Sequence, residues 1–360
     1  MIPIAKPLLG EDEKQAVLEV LSSGMLAQGS RVNAFEQAFA DMCGTRFAVA
    51  TSSGTAALHM SLLANGIGAG DEVVTTPYTF IASVNSILYT DARPVFVDID
   101  PETFNLDSGQ IEAVITPRTK AIMPVHLFGL PCDMDSILAI AEKYNLKIIE
   151  DACQSHGAVY KGKVVGSFGT GAFSFYPTKN MTSAEGGMIT TNDEILAEKC
   201  QVIRQHGMRR RYFHDEMGYN YRMTDVHAAI GLEQLKKLKH FNHVRREHAH
   251  FLSSHLTGVT VPVEPPGFHH VYHQYTVRIT GGKRDALRSY LQQWGIGSEV
   301  YYPVPIHQQE SYTQLFGKQV GFPRVEQASQ EVLSLPVHPA LTQADLDTIV
   351  QAVNDFFKEA

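Results

Sequence analysis

Short runs rich in β-branched and aromatic residues alternate with helical patterns along residues 47–195. The seven runs read FAVATSS, EVVTTPYTF, PVFVDID, KAIMPVHLFG, KIIEDACQSHG, GAFSFYPTK and GGMITTND. Between them, segments 55–66 and 133–145 carry apolar residues at spacings of three and four, which predicts crossover helices. Strands joined by such helices form parallel sheets that are covered on both faces. The sequence therefore predicts an α/β domain with a mostly parallel seven-stranded sheet.

The last third of the chain shows a different pattern. A helical stretch over roughly 224–255 is followed by the Pro- and Gly-rich segment GVTVPVEPPGFHH, which favours a domain boundary. Beyond it, YTVRI, a helix near 284–294, SEVYYPVP and a final helix near 342–357 indicate a small α+β domain. We expect a large domain over residues 1–250 and a small C-terminal domain over 251–360.

The composition excludes several classes of protein. The chain has 360 residues and 44% of them are hydrophobic, but its apolar runs are far shorter than the roughly 20 residues of a membrane helix. The opening MIPIAKPLLG lacks the features of an export signal, so we expect a cytoplasmic protein without a membrane anchor. A formal net charge of −8 gives no support to nucleic-acid binding. The four cysteines are widely separated and HHVYHQY has no spaced acidic partners, so no metal site is predicted.

Small polar residues follow the first strand, in TSSGTAALHM at 51–60, and a helix begins at once. Such a turn presents backbone N–H groups at a helix N-terminus, where a phosphate binds well. Gly54 allows close approach and Thr55 offers a hydroxyl. Ser and Thr are also ordinary helix N-caps, so this turn alone leaves a purely structural role open.

Two further strand ends carry chemistry. KIIEDACQSHG at 147–157 ends a buried strand in acids, and a buried carboxylate needs a partner. Asp151 facing the pyridine nitrogen of pyridoxal phosphate (PLP) would keep that nitrogen protonated, although nearby backbone N–H groups could serve as partners instead.

SFYPTKN at 174–180 places Lys179 after another strand. A lysine that forms a Schiff base needs a site that lowers its pKa, whereas a surface lysine does not. The order of phosphate turn, carboxylate and lysine favours a PLP site.

The most specific segments, SSGTAALH, PYTFIAS, EDACQSHGA, SFYPTKNMTSAEGGM and GYNYRMTD, resemble the DegT/DnrJ/EryC1/StrS family of sugar aminotransferases. The resemblance covers nearly the whole chain and implies PLP fold type I, PLP as cofactor and a homodimer with shared active sites. It also implies roles for eight residues: phosphate contacts from Gly54, Thr55 and Ser174, ring stacking by Phe80, pairing of the ring nitrogen with Asp151, a position near the ring hydroxyl for Gln154, the internal aldimine on Lys179, and a contact from Asn220 to the cofactor phosphate of the neighbouring subunit.

The resemblance further implies a substrate class. It indicates transfer of an amino group from glutamate, which becomes 2-oxoglutarate, to a nucleotide-linked keto-sugar in the synthesis of amino-sugars for polysaccharides or glycoconjugates. YYPVPIH at 301–307 resembles a form found in 3-amino-sugar enzymes and slightly favours amination at carbon 3 over carbon 4. Four residues are candidates for substrate contact: Arg209, His273, Tyr302 and His307.

Two alternatives remain open at this stage. One is a PLP- or PMP-dependent sugar dehydratase, although those enzymes carry histidine in place of the lysine. The other is a regulatory protein that keeps the fold without turnover. Two departures from the usual family pattern, Ala184 before EGG and His227 in the TDxxAA run, bear on substrate fit rather than on the class of reaction.

Overall fold

The structure is a computed structural model that describes residues 1–359 of the chain. Its α-helices are α1 (Glu11–Ser23), α2 (Ser30–Cys43), α3 (Gly54–Ala64), α4 (Ile81–Leu88), α5 (Met134–Tyr144), α6 (Glu194–Arg204), α7 (Asp225–His255), α8 (Arg284–Gln293), α9 (Glu310–Phe316), α10 (Pro323–Glu331) and α11 (Gln343–Glu359). Its strands are β1 (Phe47–Thr51), β2 (Glu72–Thr75), β3 (Arg93–Phe96), β4 (Thr119–Ile122), β5 (Lys147–Asp151), β6 (Val159–Tyr160), β7 (Lys163–Val164), β8 (Thr170–Ser174), β9 (Gly187–Thr191), β10 (Met208–Arg210), β11 (Phe213–His214), β12 (Phe268–His269), β13 (Tyr275–Arg278) and β14 (Val332–Leu335).

A seven-stranded sheet with the order β1-β9-β8-β5-β4-β2-β3 forms the centre of the protein. The pairs from β8 through β5, β4 and β2 to β3 are parallel, while β9 runs antiparallel to β1 and β8. The carboxyl ends of all strands except β9 therefore lie at one edge of the sheet. The predicted mostly parallel sheet is confirmed, and each of the seven predicted runs contributes one strand.

Helices cover the sheet because their apolar side chains pack against the apolar side chains of its two faces. On one side, Phe35 and Phe39 of α2 pack edge-on or tilted against Phe173 and Phe175, with ring centroids 4.9–5.4 Å apart. These four side chains are fully buried. Burial of each such ring stabilises the fold by roughly 1.5–3 kcal/mol. This packing fixes the end of β8 and the segment that follows it.

The C-terminal elements form a second core. Strands β13 and β14 pair antiparallel, and helices α8, α10 and α11 pack around them. Ile2 joins the same core, since its N–H donates to the Gly295 carbonyl at 2.8 Å and its carbonyl accepts from Gly297 N–H at 2.7 Å. The predicted boundary at residue 250 lies within α7, a continuous 31-residue helix, and the division into two domains stays a prediction.

One predicted strand does not form. SEVYYPVP contributes only an isolated bridge between Glu299 and Ser334. Two prolines in this segment lack the N–H that a ladder needs, which limits its pairing. Within residues 1–359, every helix is too short or too polar to cross a membrane.

Candidate active site

The carboxyl ends of β1, β5 and β8 open into a cavity of about 590 Å³. Its lining contains nine of the twelve residues that the sequence singled out: Gly54, Thr55, Phe80, Asp151, Gln154, Ser174, Lys179, His273 and Tyr302. These residues come from segments far apart in the chain, and the shared edge of the sheet brings them together. Such an edge is where open α/β sheets bind ligands.

The turn after β1 presents the N-terminus of α3 to this cavity. Ser53 caps the helix, since its Oγ accepts a hydrogen bond of 3.1 Å from Ala56 N–H. Gly54 packs tightly, because a Cβ at this position would lie 2.6 Å from Ser174 Cβ and 3.0 Å from Cys153 Sγ. The free N–H groups and the positive end of the helix dipole suit an anion.

Asp151 ends β5 with its side chain 5% exposed. Its Oδ2 accepts a hydrogen bond of 2.6 Å from Ser83 Oγ, and its Oδ1 accepts one of 3.2 Å from Cys153 N–H. Each carboxylate oxygen has two lone pairs, so acceptor capacity remains for a further donor in the cavity. Only one backbone N–H, that of Cys153, donates to Asp151, so backbone groups alone do not satisfy this carboxylate.

Lys179 lies in the turn after β8, half-buried at the cavity wall. Burial lowers the pKa of its amine below the usual value of 10.5, and the nearby Asp151 carboxylate partly opposes that shift. The next residue holds the turn in place, since Asn180 Nδ2 donates to Asn242 Oδ1 and to the Val271 carbonyl, both at 2.9 Å. The lysine is thus carried on an anchored segment.

Gln154 and Tyr302 form another wall. Gln154 Oε1 accepts a hydrogen bond of 2.8 Å from Phe128 N–H, and its Nε2 donates to the Tyr302 hydroxyl at 3.2 Å. Phe80, at the start of α4, is 55% exposed, and its ring centroid lies 6.2 Å from that of Tyr302. Phe80 and Tyr302 both line the cavity.

His273 is buried, and within the described chain its Nδ1 has no hydrogen-bond partner. Burial, together with the positive charges of Lys179 and Arg245, lowers its pKa well below 6.5. The imidazole is therefore neutral at pH 7. It lines the cavity, and its contact with a substrate stays a prediction.

Three predicted residues lie elsewhere. Arg209 is on the β10–β11 hairpin, where it forms a salt bridge of 3.1 Å with Glu216. His307 is fully buried, with Nε2 3.2 Å from Glu326 Oε1 and its ring 4.8 Å from that of Phe322. Asn220 is exposed and does not line the cavity of its own chain.

The sequence reasoning did not single out several residues of the cavity, including Ser83, Glu185 and Gln274. The sequence could have indicated Ser83, because it lies in PYTFIAS just after a strand end and at the start of a helix. Glu185 and Gln274 carry no local signal, since their positions depend on tertiary packing. Within residues 1–359, no group of three or more His, Cys, Asp or Glu side chains is placed to hold a metal ion.

A family profile described as the DegT/DnrJ/EryC1/StrS aminotransferase family matches residues 7–354. The chain belongs to this family. The resemblance drawn from the sequence motifs is confirmed, and this aminotransferase carries Lys179 and Asp151 in the cavity described above.

Three curated relatives cover nearly all of the aminotransferase. The pleiotropic regulatory protein of Geobacillus stearothermophilus is 43% identical over 347 residues, which is 94% of this chain and 93% of the relative. GDP-perosamine synthase of Caulobacter vibrioides is 43% identical and covers 98% of this chain and 97% of its own. The UDP-N-acetyl-3-dehydro-alpha-D-glucosamine 3-aminotransferase of Acidithiobacillus ferrooxidans is 41% identical, with 93% and 91% covered.

A solved structure supports the same fold. Spr1654 from Streptococcus pneumoniae in its PLP form matches the aminotransferase with a TM-score of 0.95 at 27% identity, and the match covers 99% of each chain. The predicted PLP fold type I is confirmed. Solved PLP and PMP forms of Spr1654 imply pyridoxal phosphate as the cofactor of this fold.

Proposed function

We propose that this aminotransferase uses PLP to move an amino group from glutamate to a keto-sugar carried by a nucleotide. The observation that carries the proposal is the meeting of three groups in one cavity: the N-terminus of α3, the Asp151 carboxylate and the Lys179 amine. PLP needs an anion site for its phosphate, a partner for its ring nitrogen and an amine for its aldehyde.

The residues fit the cofactor at each of these points. Gly54, Thr55 and Ser174 would hold the phosphate. The absence of a side chain at Gly54 lets the N-terminus of α3 lie directly against Ser174, where a Cβ would collide. Phe80, which is exposed and lines the cavity, would stack on the cofactor ring. Asp151, aimed by Ser83, would pair with the ring nitrogen, and Gln154 would lie near the ring hydroxyl.

PLP, when bound, supplies an electrophilic aldehyde and a ring that accepts electron density from the reacting carbon. The protein supplies the base. Lys179 Nζ has a lowered pKa because it is buried, so a larger fraction is unprotonated at a given pH than for a free lysine. That nitrogen would accept a proton from the α-carbon of glutamate and return a proton on the sugar side.

The names of the relatives support the substrate class. GDP-perosamine synthase and a 3-aminotransferase of a UDP-linked 3-dehydro sugar are both more than 40% identical to this chain. His273 and Tyr302 line the cavity and would contact the sugar. Together with YYPVPIH at 301–307, the second relative slightly favours amination at carbon 3. The dehydratase alternative is disfavoured, because Lys179 occupies the position where those enzymes carry histidine.

We further propose a homodimer with shared active sites. Asn220 is exposed and does not line the cavity of its own chain, so the cofactor phosphate that it contacts would be the partner subunit's. His307 is buried against Phe322 and would support the 301–307 segment rather than contact the sugar. The exposed Arg209 hairpin would reach the nucleotide only across such an interface.

The assay that tests the proposal supplies glutamate with a panel of 3-keto and 4-keto nucleotide sugars. We expect formation of one amino-sugar for each 2-oxoglutarate, and none with the Lys179→Ala variant. Conversion of 4-keto sugars alone would overturn the preference for carbon 3. Failure with every member of the panel would contradict the sugar substrate.

The name of one relative, a pleiotropic regulatory protein, keeps a regulatory role as a second candidate. The complete cavity of this chain favours turnover, because a regulator needs no lysine with a lowered pKa. A phenotype that survives Lys179→Ala in the cell, while amino transfer by the purified variant is lost, would favour regulation instead.

A further inference from the structure

A buried histidine on α3 contacts the segment that carries Asn220. His59 is 3% exposed on a helix whose other residues are mainly apolar. Its Nδ1 lies 3.2 Å from the Tyr221 hydroxyl in a hydrogen bond, and its ring centroid is 5.1 Å from that of Tyr219. A buried polar side chain costs free energy unless it is hydrogen-bonded, so the bond to Tyr221 fixes both partners.

Tyr219 and Tyr221 are stacked side by side, with ring centroids 4.9 Å apart and an angle of 7° between the rings. Asn220 lies between them and forms an isolated bridge with Gln205, so the backbone there is extended. Successive side chains of an extended segment point to opposite sides. Because both tyrosines face His59, Asn220 faces outward, and it is exposed.

The backbone of this segment is also tied to the phosphate turn. Ser52 N–H donates to the Tyr221 carbonyl at 2.8 Å, and Tyr221 N–H donates to the Arg204 carbonyl at 3.1 Å. These bonds hold the backbone on both sides of Asn220. The stacked tyrosines and their bond to His59 add a side-chain anchor on the face of the segment opposite Asn220.

We propose that His59 is a positioning residue for Asn220, acting through Tyr221 and Tyr219. The inference rests on the proposed shared site, in which Asn220 contacts the cofactor phosphate of the partner subunit. His59 lies on the helix whose N-terminus holds the phosphate of its own subunit, so one helix would serve both sites. Burial lowers the pKa of His59, which keeps the ring neutral and its bond to Tyr221 intact at pH 7.

The first test measures the dissociation constant of PLP for the apoprotein. His59→Phe keeps a ring and loses the hydrogen bond, whereas Tyr221→Phe loses only the hydroxyl. We expect each to weaken PLP binding by about three- to tenfold, the range for one hydrogen bond, and we expect the same of Asn220→Ala. Since all act through one contact, His59→Phe should add less than about twofold in the Asn220→Ala background. Additive losses would overturn the inference. Tyr221→Phe, the smaller change, decides the matter if His59→Phe does not fold.

The second test separates the two subunits. A mixed dimer of one Lys179→Ala chain and one His59→Phe chain contains a site with intact Lys179 and with Asn220 held by an intact His59. That site should bind PLP with wild-type affinity, whereas both sites of the His59→Phe homodimer stay weak, and this recovered affinity is the restoration that the test measures. A site that stays weak would show that His59 acts on the phosphate turn of its own chain, which overturns the inference.

The matched control is the mixed dimer of Lys179→Ala with Asn220→Ala, which tests the shared site alone. Restoration there, without restoration in the His59→Phe mixture, leaves the shared site standing and removes the role of His59. No restoration in the control removes the shared site and the inference that depends on it.

Discussion

Ser83 Oγ donates a hydrogen bond of 2.6 Å to Oδ2 of Asp151. Ser83 lies in the first turn of α4, after β2, whereas Asp151 ends β5. The carboxylate proposed to face the cofactor ring is therefore oriented by a hydroxyl from a different strand-to-helix connection. Ser83 in turn lies 2.8 Å from the Thr79 hydroxyl, so a short chain of buried hydroxyls supports the carboxylate.

Replacing Ser83 with Ala should lower kcat/KM by at least about tenfold, because a hydrogen bond to a charged group is worth roughly 1.5–3 kcal/mol. Steady-state kinetics with glutamate would measure the effect. Ser86→Ala is the control, since Ser86 is equally buried on α4 and bonds only to the Ser83 carbonyl. Equal losses in both variants would show that Ser83 contributes only to the fold.

Gly54→Ala should weaken PLP binding by at least about tenfold, the equivalent of 1.4 kcal/mol. The new Cβ would lie 2.6 Å from Ser174 Cβ and force the helix N-terminus away from β8. Titration of the apoprotein with PLP measures the dissociation constant. Gly68→Ala is the control, because its nearest neighbour would be the Thr90 carbonyl oxygen at 3.8 Å. An unchanged constant in the Gly54 variant would argue against a phosphate at this turn.

Glu150 supports the loop that follows β7 and should be important for stability. Its fully buried carboxylate accepts hydrogen bonds from Gly166, Phe168 and Gly169 N–H at 2.6–2.9 Å and lies 3.2 Å from His126 Nε2. In Glu150→Gln an amide N–H would face these donors, so we expect the free energy of unfolding to fall by about 2–4 kcal/mol.

Urea unfolding measures this loss. The control is Glu112→Gln, because Glu112 pairs with Lys143 at the surface and such pairs contribute about 0–1 kcal/mol. A Glu150 variant no less stable than the Glu112 variant would contradict the role of the buried carboxylate.

Acid should destabilise the protein through buried histidines such as His270. Its Nδ1 accepts a hydrogen bond of 3.0 Å from Tyr272 N–H, and burial lowers its pKa from 6.5 to about 3. The unfolded chain then binds more protons than the folded one between these values, so stability is lost as the pH falls below 6.5. The slope for one such group is at most about 1.4 kcal/mol per pH unit.

His270→Asn keeps an acceptor oxygen near the position of Nδ1 but does not titrate. Between pH 6.5 and pH 5, the wild type should lose up to about 2 kcal/mol more stability than this variant, as measured by urea unfolding at both values. Parallel losses in the two proteins would show that His270 does not contribute to the acid sensitivity.

The sequence predicted the central part of the site because the relevant residues follow strands. Gly54, Asp151 and Lys179 each lie after a buried run, and parallel strands bring their carboxyl ends to one edge. The roles of Ser83 and His59 could not be predicted in this way. Their importance depends on which helix packs beside which loop, and no local pattern encodes that.

The C-terminal part was harder to predict for a related reason. The motif YYPVPIH places Tyr302 at the cavity but gives no sign that His307 turns inward against Phe322. Strand β14 was missed because VLSL is only four residues long and pairs with β13, more than fifty residues earlier. In both cases tertiary contacts decide the outcome.

The central claim is that Lys179 is the residue that PLP engages. The most direct measurement is reduction of the PLP-loaded protein with borohydride, followed by mass mapping of the labelled peptide. We predict a single pyridoxyl adduct on Lys179, its absence in Lys179→Ala, and its suppression when the protein is first incubated with glutamate. An adduct on another lysine of the wild-type protein, with Lys179 unlabelled, would contradict the account.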